Sequence, residues 1–174
     1  WRLHKTFPET TFIEIDHPAT STIKGRAIGK TADNYHVVAV DLGEDDIETV
    51  LTDFTPFDSQ QQTLYVCEGV LMYLDEVAVR KLFASINNLT GVGSRFVFSV
   101  AAPMMSTESN TTFLLDLYLR FKGEPLKWGL EQKHLEEFVS AQGYKLNKIA
   151  DDVGLLAQYL TSPFSGPIHA GEYL

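Results

Sequence analysis

The sequence predicts an α/β protein with a doubly wound, mostly parallel β-sheet that carries helices on both faces. Short apolar segments of strand length alternate with longer segments of helical periodicity along the whole chain. Several of the short segments are apolar throughout, as is typical of strands buried on both faces of a parallel sheet. A chain of 174 residues can bury a substantial core as one domain, and no repeat or linker divides it. We therefore treat residues 1–174 as a single domain.

The strand predictions depend on β-branched and aromatic residues followed by turn-forming residues. The predicted strands are 11–15, 36–40, 63–67, 95–100, 144–149 and 168–174. In 144–149 polar and apolar residues alternate, which predicts a strand near an edge of the sheet.

The predicted helices lie between these strands, at 19–27, 44–54, 75–89, 107–122, 131–142 and 153–160. Pro18 suits the first turn of the first helix, and Gly143 is a good helix stop. The helix 75–89 is predicted to bury one face, because four of its apolar residues recur at helical spacing. These residues are Val77, Leu82, Ile86 and Leu89.

Charge and composition exclude several classes of partner. The formal net charge is −9, from 14 basic and 23 acidic residues, which argues against a nucleic-acid surface and weakly against an anionic membrane. No apolar run reaches the length of a membrane-spanning helix, and the five histidines are too scattered to predict a metal site. The one cysteine, Cys67, cannot form an intramolecular disulfide. It suits a reducing compartment, and we expect a cytoplasmic protein.

Acidic residues close three successive predicted strands: Asp16, Asp41 and Glu68. Open parallel sheets bind ligands outside the carboxyl ends of their strands. A carboxylate there can accept hydrogen bonds from ribose hydroxyls or an exocyclic amine, or hold an ammonium group. Turns and helix N-termini also favour acidic residues. Three acids after three successive strands nevertheless point to a ligand that carries a ribose, an exocyclic amine and an ammonium group. Glu14 shares a strand face with Asp16, and it either assists binding or pairs with a nearby base.

The segment 68–74, EGVLMYL, resembles the EG-L-x-YL signature of the leucine carboxyl methyltransferase family. Residues 12–20, FIEIDHPAT, are similar to the family's F-x-E-x-D-x-P segment, and residues 40–42 are similar to its V-D-L. The order and the spacing of these motifs also agree, so the resemblance covers residues 1–100. It implies a class I methyltransferase-like Rossmann fold that uses S-adenosyl-L-methionine as methyl donor.

The resemblance also implies a role for each matching residue. Asp16 would bind the ribose hydroxyls of the donor, and Asp41 with the Leu42 backbone would hold the adenine. Glu68 would lie near the methionine moiety. The predicted donor-binding residues are Glu14, Asp16, Asp41, Leu42, Glu68 and Gly69.

The resemblance implies that Glu68 and Tyr73 are the catalytic residues, and that Tyr73 lines the pocket in which the acceptor meets the methyl group. The expected acceptor is a carboxylate, as the resemblance implies, or a hydroxyl, on a small molecule or a protein. A carboxylate needs no base, and Glu68 would then orient the donor, because a second anion repels the acceptor. For a hydroxyl, Tyr73, Glu68 or a histidine would serve as base. The apolar face of the helix predicted at 107–122 suits core packing, but in the family such helices can cap the acceptor pocket, and 103–130 is the candidate cap.

One departure from the family pattern concerns the sheet. In the family, a first strand and a glycine-rich turn, G-x-G-x-D-T-R, precede the segment that begins here at Trp1. That strand belongs in the middle of the sheet. Without it the sheet would have two unpaired inner edges, which is implausible for a stable domain. The sequence is therefore expected to be N-terminally incomplete, and the natural protein to be longer at its N-terminus.

Two other functions stay open at this stage. A nicotinamide-dependent oxidoreductase on a similar sheet would also use Asp16 for a ribose, but it does not account for residues 68–74. A non-catalytic relative would keep the fold and the donor without transferring a methyl group.

Overall fold

The computed structural model of the chain describes residues 2–29, 32–104, 106, 109, 113–159 and 171–174. The strands are β1 Phe12–Asp16, β2 Tyr35–Ala39, β3 Leu64–Cys67, β4 Arg95–Phe98, β5 Val100–Ala101 and β6 Glu172–Tyr173. The helices are α1 Pro18–Ile28, α2 Ile47–Thr52, α3 Glu76–Asn88, α4 Phe113–Lys122, α5 Leu135–Ala141 and α6 Asp152–Tyr159. Two 3₁₀ turns span Leu71–Tyr73 and Gln132–His134.

Two parallel strand pairs form the frame of the molecule. β1 pairs with β2, and β3 pairs with β4; α1 crosses over within the first pair and α3 within the second. β5 and β6 form a short antiparallel pair. The predicted α/β class with parallel pairing is confirmed. None of the helices in the described ranges is long and apolar enough to cross a membrane.

The parallel sheet is split between the two pairs. Among the described residues, β1 has a ladder only with β2, and β3 only with β4. On the other edge of β1 and of β3, the backbone N–H and C=O groups are therefore not paired with a further described strand. This split is the one expected from the resemblance, which places a further strand between these two pairs.

The core is built around Phe83 of α3, which is fully buried. Four aromatic rings lie with their centroids 4.9 to 5.6 Å from the Phe83 ring, at the steep angles that favour edge-to-face contact. They belong to Phe96, Phe98, Phe138 and Tyr144. The Phe83 ring therefore joins α3 to β4, to α5 and to the segment after α5.

Helix α3 confirms the predicted periodicity except at Val77. Its N-cap is Asp75, whose carboxylate accepts a 2.8 Å hydrogen bond from the backbone N–H of Ala78. Leu82, Ile86 and Leu89 are buried as predicted. The prediction for Val77 is wrong, since this side chain is 78% exposed. Ala78 and Val79 hold the inward positions instead, one turn before Leu82 and Phe83.

Strand β3 is buried on one face only, which corrects the prediction for its apolar run. Leu64 and Val66 are 62% and 65% exposed, whereas Tyr65 and Cys67 pack against the core. The buried side chains of α3 and α5 belong to this same core cluster. Within the described ranges, the opposite face of β3 is therefore exposed.

Three other predicted elements differ in the structure. The strand predicted at 95–100 breaks at Ser99, after which β5 turns to pair with β6. The prediction of a strand at 144–149 is wrong, because this segment has no strand pairing in the structure. The side chain of Tyr144 holds the segment instead, and its hydroxyl donates a 2.7 Å hydrogen bond to the carbonyl of Phe83. The helix predicted at 44–54 is shortened to α2, because Asp46 caps it.

Some predicted ends lie outside the described residues. These are residues 107, 108 and 110–112 of the fourth predicted helix, residue 160 of the last predicted helix, and residues 168–170 of the last predicted strand.

Candidate functional site

Asp16 is the last residue of β1, where it lies opposite Ala39 of β2. Its Oδ1 accepts a 3.0 Å hydrogen bond from the backbone N–H of His17. Its carbonyl accepts hydrogen bonds from the Ser21 hydroxyl and from the backbone N–H of Val40. The side chain is 27% exposed. A carboxylate held in this way keeps lone pairs for a ligand at the carboxyl end of the strand.

Asp41 lies just beyond the carboxyl end of β2, in the turn that leads to α2. Its Oδ1 accepts a 3.0 Å hydrogen bond from the backbone N–H of Gly43. Its own backbone N–H donates to Oδ2 of Asp45 at 2.8 Å. The next residue, Leu42, packs against the hydrophobic core and thereby anchors the turn.

His17 connects these two acids. Its Nδ1 accepts a 3.3 Å hydrogen bond from the backbone N–H of Ala19 at the start of α1. The neutral ring then carries its proton on Nε2, which lies 3.4 Å from Oδ2 of Asp41. Asp16 and Asp41 are thus brought to one place through the residue between β1 and α1. The sequence analysis did not predict that His17 contacts Asp41. The sequence offers one clue to this contact, which is that a histidine directly follows Asp16.

Glu14 is paired with a base, which is one of its two predicted roles. One carboxylate oxygen accepts a hydrogen bond from Nζ of Lys24, and the other accepts one from the hydroxyl of buried Tyr35. Burial alone would raise the pKa of Glu14, but these two hydrogen bonds together with the attraction of the Lys24 charge hold the pKa below its ordinary value of 4.5. Burial and the neighbouring Glu14 carboxylate raise the pKa of Tyr35.

The turn after β3 presents Glu68 at the carboxyl end of the second strand pair. Glu68 is exposed. Gly69 has a φ of +67°, a left-handed conformation that favours glycine. Its N–H donates a 2.8 Å hydrogen bond to the hydroxyl of Ser99, which is almost fully buried. Ser99 also donates its backbone N–H to the carbonyl of Cys67, so it fixes the turn that carries Glu68.

Residues 71–73 form a 3₁₀ turn that is anchored by Leu71, which is fully buried. The carbonyl of Met72 accepts a 2.7 Å hydrogen bond from the backbone N–H of Lys127. Gly129 approaches the core so closely that a Cβ there would lie 2.8 Å from the carbonyl oxygen of Ala101. Residues 127 and 128 therefore lie against the 68–74 segment, whereas 129 and 130 lie against Ala101 of β5. Tyr73, near the end of the 68–74 segment, is 38% exposed.

Helix α4 lies in the segment that was predicted as an acceptor-pocket cap. Four of its apolar side chains, at helical spacing, are exposed in the structure: Leu114, Leu117, Tyr118 and Phe121. The capping role of 103–130 stays a prediction. Within the described part of that segment, the backbone N–H groups of Lys127 and Trp128 bond to the carbonyl of Met72.

Cys67 is a small apolar residue at the end of β3. Burial raises the pKa of its thiol to about 11, so the thiol is protonated near neutral pH. Among the described residues, no group of three or more His, Cys, Asp and Glu side chains is placed to hold a metal ion.

Both parallel pairs thus end in acids. Asp16 and Asp41 lie at the carboxyl end of the β1–β2 pair, where His17 contacts both, and Glu68 follows β3 in the second pair. Oriented carboxylates of this kind can hold hydroxyl, amine and ammonium groups of one extended ligand.

Solved methyltransferases share this architecture. A provisionally named methyltransferase from Thermobifida fusca superimposes with a TM-score of 0.60 and 17% identity, over 77% of this chain and 49% of that one. Human N-acetylserotonin methyltransferase, solved in complex with S-adenosylmethionine, superimposes with a TM-score of 0.52 and 13% identity, over 98% of this chain and 41% of that one. At these identities the likeness shows the fold, which is that of class I methyltransferases.

Comparison of sequences finds relatives with higher identity than these solved structures. A protein of Mycobacteroides abscessus, provisionally named an S-adenosyl-L-methionine-dependent methyltransferase, is 32% identical over 126 residues, which cover 70% of this chain and 40% of that protein. The chain therefore spans less than half the length of this relative. Residues 1–87 match the family model for leucine carboxyl methyltransferase. These residues include Asp16, Asp41 and the 68–74 segment, and the chain belongs to the leucine carboxyl methyltransferase family.

Proposed function

We propose that the protein transfers a methyl group from S-adenosyl-L-methionine to an oxygen of a carboxylate or hydroxyl acceptor. The observation that carries this proposal is the contact of Asp16 and Asp41 through His17 at the strand ends, in a chain of this family. The provisional name of the mycobacterial relative supports the same donor.

The residues at the strand ends suit this donor chemically. Asp16 accepts hydrogen bonds from the ribose hydroxyls, and Asp41 with the Leu42 backbone holds the adenine. Glu68 and Gly69 hold the methionine part. Because the donor carries a sulfonium and an ammonium, the negative carboxylates and the net charge of −9 also favour it electrostatically.

The work of the protein in this reaction is positioning. When bound, the donor would supply an electrophilic methyl carbon: the acceptor oxygen would bond to this carbon as the carbon–sulfur bond opposite breaks, and S-adenosyl-L-homocysteine would leave. Glu68 orients the donor, and Tyr73 lines the acceptor side of the same turn. Fixing both reactants in this way removes much of the entropic barrier. A carboxylate acceptor needs no base, whereas a hydroxyl acceptor would use Tyr73 or Glu68.

The type of acceptor can be tested with donor that carries a tritiated methyl group. The protein is incubated with a fatty acid, benzoic acid, catechol and a peptide that ends in leucine. We expect label on an oxygen: methyl esters release labelled methanol in mild base, whereas aryl methyl ethers keep the label. Glu68→Gln should lower the turnover of whichever acceptor is used. Transfer only to nitrogen or sulfur, or no transfer by a protein that binds the donor, would contradict the proposed O-methylation.

A further inference from the structure

Lys24 of α1 pairs with Glu14, and it also lies beside the carboxylate of Asp16. Its Nζ donates a hydrogen bond to Glu14 and lies 3.6 Å from Oδ2 of Asp16. We propose that Lys24 is a positioning residue for the methyl donor, which fixes the Asp16 carboxylate in the orientation that accepts the ribose hydroxyls. This inference rests on the proposed function.

Glu14 serves in this arrangement as the anchor of Lys24. Its second carboxylate oxygen accepts the hydroxyl of Tyr35, a residue that is only 1% exposed. A lysine ammonium on a flexible stem is usually mobile, but here Glu14 holds it next to Asp16. The hydrogen bonds of Glu14 keep its pKa low, so Glu14 remains an anion that can hold the ammonium at neutral pH.

Asp16 consequently has a partner at each oxygen. Oδ1 accepts the N–H of His17, and Oδ2 faces the ammonium of Lys24. Two partners at fixed positions define the rotation of a carboxylate about its last bond. The lone pairs that remain are then directed in advance, which lowers the entropy that donor binding has to remove.

A role in stability alone does not account for this arrangement. Lys24, Glu14 and Asp16 are each about 30% exposed (29%, 31% and 27%), and ion pairs at that exposure contribute little to folding. The cation also lowers the repulsion between Glu14 and Asp16, which share one face of β1 only two residues apart.

The test is a double-mutant cycle read by calorimetry with S-adenosylhomocysteine. Lys24→Met should weaken binding by about ten-fold, the size expected for one charge-assisted contact. In the Asp16→Ala background the same change should have almost no effect, because Lys24 acts through Asp16. Lys24→Arg should restore part of the affinity. The matched control is Lys145→Met, which removes an equal charge from an exposed site after α5 and should leave binding unchanged.

Thermal melts separate this role from a structural one, and we expect Lys24→Met to melt near the wild type. If it does not fold, Glu14→Gln, which releases the anchor of Lys24, should show the same dependence on Asp16. Unchanged affinity in Lys24→Met, or equal losses with and without Asp16, would overturn the inference while the proposed function stands. If Asp16→Ala itself binds like the wild type, or if the wild type does not bind, the proposed donor site fails and the inference with it.

Discussion

Replacing Phe83 by Ala is expected to lower the free energy of unfolding by about 3–5 kcal/mol. The Phe83 ring is fully buried and contacts four aromatic rings that come from β4, α5 and the segment after α5. Its removal leaves a cavity that rings fixed by the surrounding backbone cannot fill. Urea unfolding followed by circular dichroism measures the loss.

The matched control is Val77→Ala on the same helix. Val77 is 78% exposed, so its truncation should change stability by less than about 0.5 kcal/mol. If Phe83→Ala unfolded at the same urea concentration as Val77→Ala, Phe83 would not be at the centre of the core.

Replacing Asp16 by Ala is expected to weaken the binding of S-adenosylhomocysteine by about 1–3 kcal/mol, or about 5- to 150-fold. The change removes the carboxylate that would accept the ribose hydroxyls, and it also removes the partner of the His17 backbone N–H. Calorimetry on both proteins measures the difference directly.

Asp33→Ala is the control for charge. Asp33 is an exposed acid just before β2 begins, so it lies at the opposite end of the strand pair from Asp16. Its removal changes the net charge equally and should not change the affinity. Equal weakening by both substitutions would mean that Asp16 acts only through the overall field of the protein.

The sequence predicted the fold well where the pattern was local. The helix predicted at 75–89 is α3 in the structure, and the apolar residues predicted on one of its faces are buried except Val77. The segment 144–149 alternates like a strand, yet Tyr144 holds it by ring packing and by one hydrogen bond to Phe83. That contact joins residues 61 positions apart, which no local pattern encodes.

The sequence predicted that Asp16, Asp41 and Glu68 follow strands, but it did not predict which side chains contact them. The acids were found because each follows an apolar strand, and parallel strands bring their carboxyl ends to one edge. The linking groups were not found, since His17, Lys24 and Ser99 act through single contacts that depend on χ angles and turn geometry. For Ser99, the sequence offers one clue to its contact with Gly69, which is a hydroxyl side chain inside a mostly apolar predicted strand.

We propose that the strand-end acids hold S-adenosyl-L-methionine, and calorimetry with S-adenosylhomocysteine and, separately, with NAD tests this proposal. Both ligands contain an adenosine ribose that Asp16 would accept, but only the first has the aminoacyl group that Glu68 and Gly69 would hold. We expect S-adenosylhomocysteine to bind at micromolar concentration and NAD to bind far more weakly. Binding of NAD without binding of S-adenosylhomocysteine would contradict the account.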